Sequence, residues 1–419
     1  MVDEDGSEWK YPLDRIVFVL FSNISHVNIM REKIFLFCSF AVFLITSFHC
    51  SNETPITNDS IPAITFEKMI DLGRTDISYD VKPTSDGGYV VAGEIESKQT
   101  LHIQALLMKL DRRGNQIWLR TFDEMNQAIS VVETRDKGFL VLGSKLLRTD
   151  SLGMLESSHD LFANDVIEYR QMIACHDGGA IISSEVSRRD QPQLSRVTRV
   201  DDFGRMIWTH DYGSSEYGNA IWRMSRTFDG NYFFMRGSNK LVGTHLCNTY
   251  FMTKIDRLGK PLIEIEFDST ANTSLEHGLP SFGGNHVITG SQRKRSDVKS
   301  DFYLAMIDSK GKIIRESTVD FSTNATAMEI VYARGGGYFV LGQVHAMENR
   351  NDAADACLVK FDFQGNLQWK KIYAGLHLNR LLSIEATDDG GVIMAGYTNS
   401  TDAHSDIWIM KTDVNGNIR

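Results

Sequence analysis

Between Ile61 and Arg419 one short pattern returns seven times, and a chain made of such units folds by stacking them or by closing them into a ring. The first half of the pattern is a turn followed by apolar residues and a small one, as in Asp86-Gly87-Gly88-Tyr89-Val90-Val91-Ala92-Gly93. It returns at Asp136, Asp177, Asp229 and Asp389, and as Gly283-Gly284-Asn285-His286 and Gly335-Gly336-Gly337-Tyr338. The second half is basic-x-Asp-x-x-Gly, with its aspartates at Asp111, Asp150, Asp201, Asp256, Asp308, Asp362 and Asp413 and with Met306 replacing the base in the fifth unit. Those aspartates are 39, 51, 55, 52, 54 and 51 residues apart, so only the second unit is shortened.

Each motif has a local physical reason. Asp-Gly-Gly pairs a side chain that hydrogen-bonds the turn backbone with residues free to take positive φ, and Asp-x-x-Gly makes the next tight connection. The residues between them alternate as half-buried or buried strands do. In the first unit the strands are predicted at 78–84, 89–93, 105–110 and 116–122. Four short strands per unit fit a propeller blade, whereas a helical repeat needs apolar residues at a period of about 3.6.

The two ends choose between a ring and an open stack. After Asp413 the chain runs only to Gly416-Asn417-Ile418-Arg419, so the last unit lacks the outer strand that Ile117–Phe122 or Leu367–Tyr373 supplies elsewhere. Ile64-Thr65-Phe66-Glu67-Lys68-Met69-Ile70 has that strand's pattern and precedes the first unit. The expectation is an all-β, seven-bladed β-propeller of four-stranded blades over 61–419, closed by an N-terminal strand that completes the last blade and hides two sheet edges.

The units resemble those of bacterial tandem-repeat β-propeller lipoproteins, with blades of the form Asp-Gly-Gly-Tyr, three apolar residues, Gly, then Lys-x-Asp-x-x-Gly-Asn-x-x-Trp. The copies nearest that form are Asp86–Gly93 with Lys109–Trp118, and Asp389–Gly396 with Lys411–Asn417. Phe282 and Arg334 stand at the turn-aspartate position of two units, and Trp118, Trp208 and Trp369 fill the tryptophan position. A weaker similarity, to quinoprotein-type repeats, has one more residue between Asp and Gly, and no cofactor is carried over from it.

The resemblance implies export, and the N-terminus has a matching layout. Met30-Arg31-Glu32-Lys33 leads into apolar Ile34–Phe48 and then Cys50, the order of a lipoprotein signal peptide over 30–50 with Cys50 as the lipid anchor. Residues 1–29, rich in acidic side chains, read as a misassigned extension before a start at Met30, and polar 51–60 as a tether. An uncleaved anchor and a plain secretory signal are the other readings of the same residues. Asn272, Asn324 and Asn399 each begin an Asn-x-Ser/Thr triplet, which carries meaning only in a eukaryotic secreted protein.

A net charge of −10 disfavours a phosphate backbone as partner, so nucleic acid is excluded; Arg293-Lys294-Arg295 reads as a solvated loop. Cys175, Cys247 and Cys357 of the repeat region form no disulfide framework or metal motif and read as small buried residues. The recurring aspartates read as turn formers, not as calcium ligands or paired acids. Neither a metal nor a cofactor is expected, and no catalytic residue is assigned.

The innermost strand of each blade faces the central channel. Six residues before the turn-aspartate position stand Asp80, Ser130, Gln171, Arg223, Glu276, Met328 and Ser383, with Lys82 and Glu385 two residues further on in their units. A polar channel of both charge signs follows, and Asp80, Arg223, Glu276 and His277 are the candidate ligand-binding residues. The functional expectation is an exported, lipid-anchored, monomeric binding or scaffold module at the bacterial cell envelope, with a protein or glycan ligand. It would lie at the outer membrane, in the periplasm or at the cell surface. The alternative is a hydrolase or lyase acting on polysaccharide or peptide at the channel mouth.

Overall fold

The structure, a computed structural model, describes residues 63–418 apart from 74, 97–101, 163–165, 189–192, 214–218, 243–244, 269–272, 294–298, 346–353, 375–377 and 400–403. The expected extension, signal peptide, Cys50 and tether therefore lie outside the described residues.

Seven four-stranded antiparallel sheets form a seven-bladed β-propeller. Strand β1 (Phe66–Ile70) precedes blade 1, which holds β2 (Asp76–Pro83), β3 (Tyr89–Glu96), β4 (Ile103–Leu110) and β5 (Gln116–Phe122) from the channel outward. Blade 2 holds β6 (Ser130–Glu133), β7 (Phe139–Leu142), β8 (Leu146–Thr149) and β9 (Leu155–His159). Blades 3 to 6 begin with inner strands β10 (Val166–Ala174), β14 (Asn219–Arg226), β18 (Thr273–Pro280) and β22 (Ala325–Tyr332). Blade 7 has β26 (Asn379–Ala386), β27 (Val392–Asn399) and β28 (Ser405–Thr412), and β1 is its fourth strand. Phe66 lies opposite Lys411 and Ile70 opposite Ile407 in that last pairing, so the ring closes as the chain ends require.

The core lies between blades. Seven apolar clusters occupy the seven joints: Val90, Ala92 and Leu107 of blade 1 meet Val131, Phe139 and Val141 of blade 2, and Tyr89, Val91 and Leu106 meet Ile393, Ala395 and Ile407 of blade 7. Strand residues point alternately to the two faces of a blade, so each blade supplies one face to each neighbour. Cys175 and Cys357 are buried free thiols, as small core residues are.

Both motifs do the work their chemistry suits. In all seven Asp-x-x-Gly turns the aspartate Oδ1 accepts the backbone N–H groups two and four residues on, as Asp111 does from Arg113 at 2.7 Å and Asn115 at 2.8 Å. The first-motif aspartate accepts the N–H two residues on in three blades, as Asp86 does from Gly88 at 3.0 Å, and also meets the basic residue of its own blade: Lys109–Asp86 at 2.9 Å, Arg199–Asp177 at 2.9 Å, Lys254–Asp229 at 2.6 Å, Lys411–Asp389 at 2.8 Å, and Arg148–Asp136. In blade 5 both partners are lost together, to Gly283 and Met306, leaving no orphaned charge. Blade 6 keeps Lys360 but has Gly335 for the acid, and the ammonium turns to the carbonyls of Gly336 and Phe361.

Candidate functional site

Six of the seven inner strands carry a β-bulge near mid-strand: at Tyr79, Arg170, Glu276, Met328 and Leu382, and across Trp222 and Arg223 in blade 4. A bulge leaves one residue unpaired and turns the next one. Asp80, Gln171, His277, Glu329 and Ser383 follow it directly and pair with Ala92, Ser183, Thr289, Leu341 and Ala395; Ser130 at the head of β6 pairs with Leu142, and Arg223 lies within the bulge of β14, just before Met224 resumes the pairing with Phe234. All seven are polar.

This belt corrects the expected alignment in two blades. Glu276 and Met328 are bulge residues, and His277 and Glu329 hold the belt positions. Blades 5 and 6 lack the turn aspartate, and counting from Phe282 and Arg334 instead of Gly283 and Gly335 displaces the register by one residue. Glu329 was missed for that reason alone.

Six belt side chains tie one blade to the next by accepting the backbone N–H that follows the neighbouring belt residue. Val131 N–H reaches Asp80 Oδ2 at 3.0 Å, Met172 N–H reaches Ser130 Oγ at 3.2 Å, and Met224 N–H reaches Gln171 Oε1 at 2.7 Å. Ile330 N–H reaches His277 Nδ1 at 3.2 Å, Ile384 N–H reaches Glu329 Oε2 at 3.3 Å, and Val81 N–H reaches Ser383 Oγ at 3.4 Å. Buried backbone donors demand such partners. Asp80 is further saturated by hydroxyls of Ser130 at 2.8 Å and Ser383 at 2.9 Å and by Lys82 at 3.2 Å.

Arg223 breaks the rule, because a guanidinium has no lone pair to offer. It crosses the channel from blade 4, donating from Nη1 to Glu329 Oε1 of blade 6 at 2.7 Å and from Nη2 to the Leu382 carbonyl of blade 7 at 3.0 Å. Burial raises Glu329 to about 7, against the pull of the Arg223 and Lys82 charges. Burial alone would discharge Lys82, but the Asp80 and Glu385 carboxylates outweigh it and hold the ammonium above the ordinary lysine range.

The belt separates two funnels. On the side where inner strands begin, a cavity of about 440 Å³ is walled by Tyr79, Asp80, Tyr169, Arg170 and Arg223, and it opens past Gln127, Gly143 and Ser144 of blade 2. On the side of the Asp-Gly-Gly turns a second cavity, of about 770 Å³, is bordered by Lys82, His176, His277, Phe228, Tyr332 and Glu385. Blade 2 does form four strands, but β6, β7 and β8 are only four residues long, and the β7–β8 connection is a tight turn closed by Gly143 N–H to Lys145 O at 2.9 Å. Gly143 and Ser144 of that short turn line the first funnel.

Of the four candidate residues, Asp80 and Arg223 share the first funnel and His277 borders the second. Glu276 is set one residue off the belt, where burial raises its carboxyl above the usual range while Arg223 draws it down.

His277 also forms a buried arrangement that invites a catalytic reading, with Nε2 3.0 Å from Ser225 Oγ. Burial, with Arg223 and Lys82 nearby, holds its ring neutral, well below the ordinary histidine range. Because Nδ1 accepts the Ile330 N–H, the single ring proton sits on Nε2 and is donated to Ser225, whose own hydroxyl proton goes to the Gly278 carbonyl at 3.2 Å. The histidine is a donor to the serine, the reverse of the polarity that activates a nucleophile.

No protein-family model matches the chain, and no curated protein matches it. Among solved structures it is similar to a puromycin hydrolase mutant complexed with PGG, at TM-score 0.51 and 10% identity, over 83% of this chain and 53% of that one. It is also similar to a protein of unknown function from Bacteroides caccae, at TM-score 0.40 and 12% identity, over 72% of this chain and 94% of that one. A third similarity is to the WD40 domain of Neurospora crassa Pan2, at TM-score 0.45 and 11% identity, over 81% of this chain and 96% of that one. At such identities likeness speaks to the fold alone.

Proposed function

We propose that this β-propeller is an exported binding module, held at the bacterial cell envelope through Cys50, that takes a polar protein or glycan ligand into the funnel beside blade 2. The observation that carries the reading is Arg223. Six belt residues are spent on joining blades, whereas Arg223 projects its guanidinium across the floor of a 440 Å³ cavity whose wall combines Tyr79 and Tyr169 with Asp80 and Arg170. Aromatic faces beside a few convergent hydrogen-bonding groups are what a polar ligand needs for both contact area and orientation. The envelope location is supported by the order of charge, apolar stretch and cysteine over 30–50.

The hydrolase or lyase alternative has no comparable support, since the Ser225–His277 pair is wired against nucleophilic use.

Ser144 is exposed at the funnel mouth, so Ser144→Trp plugs the cavity without removing a belt contact. Glycan and peptide arrays probed with the exported protein are expected to show a ligand that Ser144→Trp loses while its melting temperature is unchanged. Binding that survives the plug removes the funnel from consideration. Palmitate labelling that disappears in Cys50→Ala is expected separately, and labelling that persists refutes the anchor.

A further inference from the structure

A second set of polar contacts lies toward the start of the inner strands, four residues before the belt. Between blades 6 and 7, Asn379 donates its side-chain amide to Asp355 Oδ1 at 3.2 Å and accepts the Thr398 hydroxyl at 2.7 Å. Between blades 7 and 1 the same two positions are occupied by Asp76, at the head of β2, and Asp406, in β28. A carboxylate thus stands where the sister joint has an amide donor. Asp71, the residue after β1, brings a third acid.

One carboxylate oxygen from each of Asp71, Asp76 and Asp406 lies within 4.8 Å of the other two. Asp76 is completely buried; its Oδ2 accepts the Leu72 N–H at 2.7 Å, while its Oδ1 has no hydrogen-bond partner among the described residues. Leaving a buried carboxylate oxygen without a donor is unfavourable, and two further acids beside it add repulsion. Burial first, and then the charges of Asp406 and Asp71, push Asp76 up to about 6.

We propose that Asp71, Asp76 and Asp406 bind a calcium ion that staples the closing strand β1 to β2 and β28. The donors are hard oxygens, which suit a hard cation, and they come from three separate strand ends. Calcium accepts such irregular directions and a variable ligand number, whereas magnesium demands a near-ideal octahedron and keeps its waters. Asp71 is exposed, so the ion has a path from solvent and room for water ligands, while Asp76 holds the buried side. The consequence is mechanical. One ion ties together the strand that enters the ring, the strand that completes it and the first inner strand, so ring closure becomes calcium-dependent.

The test uses the full chain, stripped with EGTA, in calorimetric titration and thermal melts with calcium and with magnesium. Calcium is expected to bind with one saturable high-affinity site and to raise the melting temperature by several degrees, with magnesium at least tenfold weaker. Asp76→Asn restores the amide of the sister joint. It is expected to melt higher than the parent protein in EGTA and to lose the response to calcium, and Asp406→Asn is expected to lose that response too. If Asp76→Asn does not fold, Asp71→Asn, at an exposed position, is expected to weaken calcium at least tenfold. A parent protein that melts identically in EGTA and in calcium overturns the proposal, as does a variant that responds to calcium as the parent does.

Discussion

At the scale of single residues, the repeat keeps charged side chains in matched pairs, and the one mismatch is informative. Lys360 is 4% exposed and faces two carbonyls and the Phe339 ring, with the ammonium 4.9 Å from the ring centroid. Burial depresses it to about 8 from an ordinary 10.5, only partly offset by Asp362. A base depressed in the folded state binds fewer protons there than in the unfolded chain, so its penalty is full below pH 8 and relieved as pH rises toward 10.5. Lys360→Met copies what blade 5 already has at Met306. The variant is expected to be more stable than the parent at pH 7, by about 1–3 kcal/mol. The difference should shrink in melts at pH 9 and above; a gain that is the same at both pH values contradicts the assignment.

At the scale of elements, the Asp-x-x-Gly turn is more than a tight connection, because the outer strand of the preceding blade lays a side chain on its glycine. Trp118 of β5 covers Gly153 of blade 2, and Trp369 of blade 6 covers Gly416 of blade 7. A Cβ at Gly153, where φ is 74°, falls 2.7 Å from the Trp118 ring. Gly390 in the first motif has φ 84° but meets nothing nearer than Val414 at 3.9 Å. Gly153→Ala is therefore expected to lose about 1 kcal/mol to backbone strain and at least as much again to the displaced indole. Gly390→Ala should lose only the first. Denaturant melts of the two variants decide it, and equal losses discard the stacking account. The tryptophan of the repeat and the glycine of the next repeat are thus one contact between blades.

At the scale of the whole molecule, closure rests on β1, whose Phe66 packs on Gly114 and on the Tyr89 ring 6.0 Å away, while Glu67 accepts the Trp408 indole N–H at 2.9 Å. Phe66→Ala is expected to cost about 3–5 kcal/mol, the upper part of the range for core deletions, because a large buried ring is lost from the strand that covers the β28 edge. Equilibrium unfolding measures it, and a loss under about 1 kcal/mol places the closing energy elsewhere. Blade number, strand positions, the shortened second unit and the split last blade were all legible in the residues alone, because turn chemistry is local and a period repeats it seven times. The channel was legible as polar, but not in register. In blades 5 and 6 the loss of the turn aspartate removed the mark from which His277 and Glu329 would be counted. Nor does any local pattern announce that Arg223 reaches Glu329, 106 residues on, or that Asp71, Asp76 and Asp406 meet where the two ends of the ring join. Repetition along the chain determined the blades; only closure of the ring, which sets strands from distant repeats face to face, decided which charges share a site.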